Sequence, residues 1–233
     1  MDDEPGLSAT SPQARLRAVA RPKKTVDQSG RVVGPRGLQT RQQLLDATAA
    51  LLTERSVREI RVVDVARLVG TSPATFYQYF QDVEEAALRL AEQAAEGMPS
   101  ILATMGRSWR GKAGFDTALA VVEAFFTHWD AHHAVLRLSN LRSEEGDRRF
   151  LKLRRDVMTP VLTEIAKLVE EGQRAGRVSK RLQPLAAAAA LASILERLAA
   201  YHVSLEGLGV TREHLVETSA SILYTIVTGR RVP

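Results

Sequence analysis

Four hydroxyl side chains crowd one short stretch of the chain. Ser72, Thr75, Tyr77 and Tyr79 all fall within "SPATFYQYF", residues 72–80. Their O–H groups can donate to phosphate oxygens. Ala74, between them, is small enough for close approach to base edges, and its methyl can meet a thymine methyl. Pro73 and Gln78 complete the polar outer set around two phenylalanines, Phe76 and Phe80. Only 5% of the chain is aromatic, so this concentration needs a reason.

Other candidate chemistry is weaker. His128 and His132 stand four apart, a spacing that can hold zinc on one helix face, with Asp130 and His133 nearby. No glutamate stands in the HExxH arrangement, and no metal is expected. "GRSWRGKA", residues 106–113, nearly matches the phosphate loop GxxxxGK[ST], but Ala113 replaces the magnesium-binding hydroxyl. It follows a helical pattern rather than a strand, so it reads as a connecting loop. "EEGDRR" reads as a solvated loop or helix start. No acid, base or nucleophile set emerges, so no catalytic residue and no cofactor are expected, and the chain is not read as an enzyme.

These residues belong to a chain of 233 residues with 45% hydrophobic content, enough for a sizeable core. The absence of cysteine excludes disulfides and thiolate chemistry. The acidic, polar start does not resemble a secretion signal, and the apolar run "PLAAAAALASIL" reads as too short for a bilayer. The expectation is a cytoplasmic protein with no membrane partner. The net charge is +5, unevenly spread: residues 11–41 hold eight basic residues against one acid. Such asymmetry suits a polyanion, or else a solvated tail.

Proline and glycine punctuate residues 1–37, which read as a flexible basic arm. Helical spacing begins near Leu38. Leu44, Leu45, Thr48, Leu51 and Leu52 predict a first helix, and Val62, Val65, Ala66 and Val69 a short second one ending at Gly70. Ser72 can cap a third over 73–80, with Pro73 at its first position. Asp82 can cap a fourth, expected to continue to Met105. Beyond it, "GFDTALAVVEAFFTHWDAH" and "AVLRLSNLR" read as separate helices, followed by a long one bent at Pro160 and two closing helices. No sustained strand alternation occurs. The fold class is all-α: a helix-turn-helix domain over 38–96 and a helical domain over 97–233.

Two short helices joined by a tight turn over 62–80 have helix-turn-helix spacing, which places the second helix in a major groove. On that helix Phe76 and Phe80 share the inner face, packing on Leu45, Leu52 and Val65. Ala74, Thr75, Tyr77 and Gln78 face outward, with Tyr79 at the edge. Arg58 and Arg61 precede the second helix and could meet the DNA backbone. A helical hairpin with surface tyrosines satisfies the same pattern.

The segment 41–93, above all "VARLVGTSPATFYQYF", resembles the N-terminal domain of the TetR family of bacterial transcriptional repressors. Ala66, Gly70, Ser72, Thr75, Tyr77 and Phe80 carry the likeness. The resemblance implies a homodimer on near-palindromic double-stranded operator DNA, with a small-molecule effector. It implies DNA contacts from Ser72, Pro73, Ala74, Thr75, Tyr77 and Tyr79. Two departures stand out: Val83 where the family usually has a phosphate-binding lysine, and Arg61 where a threonine is common. Arg31, Arg36 and Arg41 of the arm could add phosphate or minor-groove contacts. An all-α enzyme or carrier, or an interaction module that has lost operator binding, are the competing readings.

The C-terminal half offers large apolar residues for an effector pocket: Phe125, Phe126, Trp129, Leu136, Met158, Leu162 and Tyr201. Asn140, Trp109 and His202 could add polar groups. A hydrophobic effector is expected. Ala187, Leu191, Ile194, Leu198, Leu215, Ile222 and Ile226 on the last two helices are expected to form a four-helix dimer interface, or else intrachain core.

Overall fold

The computed structural model describes residues 25–233. The helices are α1 (Pro35–Glu54), α2 (Val62–Val69), α3 (Pro73–Tyr79), α4 (Val83–Ala95), α5 (Met98–Met105), α6 (Gly111–Glu144), α7 (Arg148–Arg174), α8 (Pro184–Glu206) and α9 (Arg212–Thr228). Among the described residues no strand forms, only a single antiparallel bridge between Val26 and Val32.

The N-terminal unit packs α1, α2 and α3 around Leu44, Leu45, Val65, Phe76 and Phe80, each fully buried. Local chemistry explains why such short helices hold. The Arg61 backbone N–H donates to Asp64, which caps α2, and this bond holds the Asp64 carboxyl below its usual pKa. Gly70 closes α2 at φ 70°, a left-handed conformation that favours glycine. The Ser72 hydroxyl accepts from the Thr75 N–H at 3.3 Å, with Pro73 at the first position of α3.

Several expectations are corrected. α1 begins at Pro35, a favoured first position, rather than near Leu38. The fourth helix does not run to Met105: it stops at Ala95, and Pro99 opens α5 after Gly97. The two segments from Gly111 to Glu144 form one helix of 34 residues, since nothing between them breaks the backbone ladder. Pro160 lies inside α7. "GRSWRGKA" is the α5–α6 connection and the first turn of α6, with the Trp109 indole N–H donating to the Met105 carbonyl at 2.8 Å.

The C-terminal unit packs α5 to α9 around Val122, Phe126, Val169, Ala188 and Leu223. By length and composition alone α8 is apolar enough to cross a membrane, because the alanine run continues as helix to Glu206. Its inner face, including Ala188, Leu195 and Ala199, is built into this core.

The two units meet along α4 and the C-terminal end of α6, where Leu138 enters the N-terminal core. The residues read as a solvated loop or helix start hold the start of α7 and take part in an ion-pair seam there. Buried Arg142 pairs with Glu84 of α4 and with Glu145. Glu145 also accepts from Arg58 at 3.1 Å, and Arg149 pairs with Asp147 at 2.8 Å.

Candidate nucleic-acid interface and effector cavities

α3 presents the surface its pattern predicts. Phe76 and Phe80 are completely buried, with ring centroids 5.3 Å apart. Ser72, Pro73, Ala74, Tyr77 and Gln78 are exposed, while Thr75 and Tyr79 are half-buried. Tyr77 is 53% exposed, so its hydroxyl stands free at the surface. The Ser72 and Thr75 hydroxyls lie 3.1 Å apart, and each keeps lone pairs or a proton for a further partner.

The arm does more than its composition suggests. Residues 27–31 form a turn in which the Ser29 hydroxyl and the Ser29 and Arg31 N–H groups donate to the Asp27 carboxylate. These bonds hold Asp27 below its usual pKa, the Ser29 hydroxyl contributing most. The turn docks on the end of α3: the Gln28 N–H donates to the Gln78 carbonyl at 2.8 Å, and its side-chain amide to the Tyr79 carbonyl at 3.3 Å. Last-turn carbonyls that a seven-residue helix leaves open are thereby satisfied. Gln28 was missed, although Asp27, Ser29 and Gly30 are turn formers visible in the sequence. Arg15, Arg17, Arg21, Lys23 and Lys24 lie outside the described residues.

The arginines divide. Arg36 is exposed in the first turn of α1, whose N-terminus lies beside Tyr79: a Cβ at Gly37 would sit 3.1 Å from the Tyr79 hydroxyl. Arg61 is 77% exposed and leans on Asp64 at 3.5 Å. Arg41 is half-buried with its guanidinium 5.1 Å from the Phe80 ring centroid, a cation–π contact inside the domain. Burial lowers its pKa, with Arg89 acting in the same direction. Its position is structural, unlike that of Arg36. Val83, which stands where the family usually has a lysine, is buried in the core.

The expected pocket residues also separate. Phe125, Trp129, Leu136, Asn140 and Met158 line a cavity of about 60 Å³ between α4, α6 and α7. That is far below the volume of a drug-sized molecule. Phe126 and Leu162 lie in the core and line neither this cavity nor the larger one; Phe126 stacks on His202. Tyr201 lines a second cavity of about 1010 Å³, an interdomain cleft that shares Trp129, Asn140, Arg154 and Glu196 with the first. In that shared wall Arg154 grips Glu196 through two bonds of 2.7 and 2.8 Å, and the Asn140 amide donates to the same carboxylate at 2.7 Å.

Of the residues read as dimer interface or else intrachain core, Ala187, Leu191 and Leu215 are buried within this chain as part of the C-terminal core. Ile194 is 40% exposed, and Leu198, Ile222 and Ile226 are half-buried. The rings of His128 and His132 lie 5.0 Å apart, and burial depresses both pKa values, with the neighbouring imidazole adding to the effect at His128. Among the described residues no group of three or more His, Asp or Glu gathers to hold a metal ion.

A capped three-helix unit with an exposed polar α3, carried on a helical second unit, defines a helix-turn-helix DNA-binding regulator. The model of bacterial regulatory proteins of the tetR family matches residues 44–90, and that of the tetracyclin repressor-like C-terminal domain matches residues 101–233. The chain belongs to the TetR family of bacterial transcriptional regulators. Its fold is similar to that of the fatty acid degradation regulator FadR from Bacillus halodurans, with a TM-score of 0.61 at 17% identity over 86% of this chain and 98% of that one. FadR from Bacillus subtilis in complex with stearoyl-CoA gives 0.59 at 16% over 82% and 99%. The SmeT–triclosan complex gives 0.55 at 15% over 81% and 90%. The comparison with curated proteins gives no match.

Proposed function

We propose that the protein is a homodimeric repressor that binds near-palindromic operator DNA through α3 and is modulated by a small, largely hydrophobic ligand. The exposed hydroxyl face of α3, standing on a fully buried Phe76–Phe80 pair, carries this reading. Ala74 faces base edges, with Gln78 and Pro73 beside it, and Ser72, Thr75, Tyr77 and Tyr79 bond phosphates. Arg36 and Arg61 flank the helix as further phosphate partners. A partner subunit packs on the α8–α9 face, where Ile194 exposes apolar surface and Ile222 and Ile226 are only partly covered. The similar folds of FadR with stearoyl-CoA and SmeT with triclosan support ligand control.

A salt-titrated gel shift on the DNA upstream of the protein's own gene tests the reading. Tight, sequence-specific, salt-sensitive binding is expected; weak binding to any duplex would remove it. In the same assay Tyr77→Phe is expected to lose about 1.5 kcal/mol, slightly more than tenfold in affinity, if its hydroxyl donates to a phosphate. Unchanged affinity would show that the Tyr77 hydroxyl bonds no phosphate.

Deleting residues 1–24 removes five positive and three negative charges while leaving the turn on α3 in place. A flatter dependence of log affinity on log salt is expected, by about 0.9 for each phosphate that the shortened arm no longer neutralises. An unchanged slope would show that these charges do not touch DNA.

A further inference from the structure

The larger cavity has a composition that ligand control alone does not explain. Six arginines line it: Arg55, Arg58, Arg137, Arg142, Arg154 and Arg197. Arg58, Arg142 and Arg154 are held by Glu145, Glu84 and Glu196, and Arg55 stands 3.8 Å from Asp64. Among the described residues Arg137 and Arg197 have no carboxylate within ion-pair distance. They line the cleft from α6 and α8, as do His133 and Tyr201; the Arg197 guanidinium lies 3.9 Å from the Tyr201 ring centroid. Glu144, the acid on the same face of α6, is two helical turns further on, about 10 Å away.

The lining also carries an apolar strip among its polar groups, which include Glu54, Glu144, Glu145 and Glu196. Leu141 and Leu151 line it while remaining 50% and 43% exposed, uncommon for leucines in a concave site. Leu52 continues this wall from α1 of the DNA-binding unit. A volume of about 1010 Å³ lies at the upper end of the range for organic ligands, whereas the inner cavity of about 60 Å³ holds none.

We infer that the effector is an amphipathic organic anion whose charged head sits between Arg137 and Arg197 and whose apolar body lies along Leu141 and Leu151 toward Leu52. This deepens the regulator reading and rests on it for its biological meaning. The ligand touches both units, so it favours one setting of the DNA-binding unit over others; that differential affinity is what a switch requires. It also lies beside the Arg58–Glu145 pair that joins the two units. Carboxylate and phosphate monoester heads share the chemistry, and the test separates them.

Calorimetric titrations of the full chain with dodecanoate, dodecyl phosphate and the uncharged dodecyl maltoside, all below micelle concentration, test this. At least one anion is expected to bind, and the neutral probe at least tenfold more weakly; the tighter anion names the head group. R137Q/R197Q is expected to lose tenfold or more for that anion, while R181Q, an exposed arginine off the cleft, changes nothing. Both arginines are exposed within the single chain, and since Arg197 shares the α8 face of Ile194 with the proposed partner subunit, an unchanged thermal midpoint and an unchanged dimer by size exclusion verify that the double variant keeps its fold and assembly. Failure of both anions to bind, equal binding of the neutral probe, or full affinity in R137Q/R197Q would each overturn the inference. Operator binding is measured separately. Without ligand the double variant should match the wild type, and the anion should shift only wild-type protein. A wild type that binds the anion but no operator would end the regulator reading and leave the cleft assignment standing.

Discussion

Phe76→Ala is expected to lower the stability of the DNA-binding unit by about 3–5 kcal/mol and to abolish operator binding. The side chain is completely buried and touches Phe80 and the α1 leucines, so its removal opens a cavity that fixed neighbours cannot fill. The loss rivals the whole stability of a small domain, about 5–15 kcal/mol. α3 has only seven residues, too few to persist without its packed face. Phe76→Leu, which keeps most of the volume, is expected to cost little more than about 1 kcal/mol and to retain binding. Urea unfolding followed by circular dichroism, paired with gel shifts, checks both. A wild-type midpoint for Phe76→Ala would show that this phenylalanine does not hold α3 in place.

Arg154→Met produces the second large effect, and its sign depends on pH. Burial pushes the Glu196 carboxyl up, but bonds from Arg154 and Asn140 outweigh it and hold the pKa below the ordinary value. In the wild type the pair therefore adds stability above the unfolded pKa of about 4.3, lost as pH falls through the lower folded value. Removing Arg154 leaves burial dominant, so the folded pKa rises and the charged form becomes a liability. Breaking a fully buried pair costs about 3–5 kcal/mol, but the Arg154 side chain is 37% exposed and solvent screens part of it. A loss of about 2 kcal/mol near pH 7 is expected, closing as pH falls toward about 3. Urea midpoints for both proteins across that range measure it. A gap constant with pH would mean that the loss is packing and not charge.

The DNA-binding unit was legible because its signals are local. The four-residue spacing of Phe76 and Phe80, Gly70 in the turn, and Ser72 before Pro73 each act within a few residues, and the fold uses them as read. The docked turn at 27–31 was legible too, through Asp27 and Gly30, but the basic charge around it drew the reading toward a loose arm. The break at Gly97 was passed over because the apolar spacing on either side stays in phase; Pro99, which opens α5, was the signal. What stayed hidden depends on partners distant in sequence. Nothing local says that Arg142 meets Glu84, or that Leu162 points to the core while Leu141 lines a cleft. Ala187, Leu191 and Leu215 illustrate the same limit. An apolar face on a terminal helix must be covered, and spacing cannot say whether the cover belongs to this chain or to another.

The unbroken run of α6 has a mechanical consequence. At 34 residues it is about 50 Å long. Near its first turn the Tyr224 hydroxyl donates to the Gly111 carbonyl, and near its last turn Leu138 is wedged among the leucines behind α3. One end of this rod is thus built into the α9 packing and the other against α1 and α4, the helices on which α3 rests. A tilt of a few degrees, scarcely visible where α8 and α9 would meet a second subunit, becomes a sweep of several ångströms at the groove.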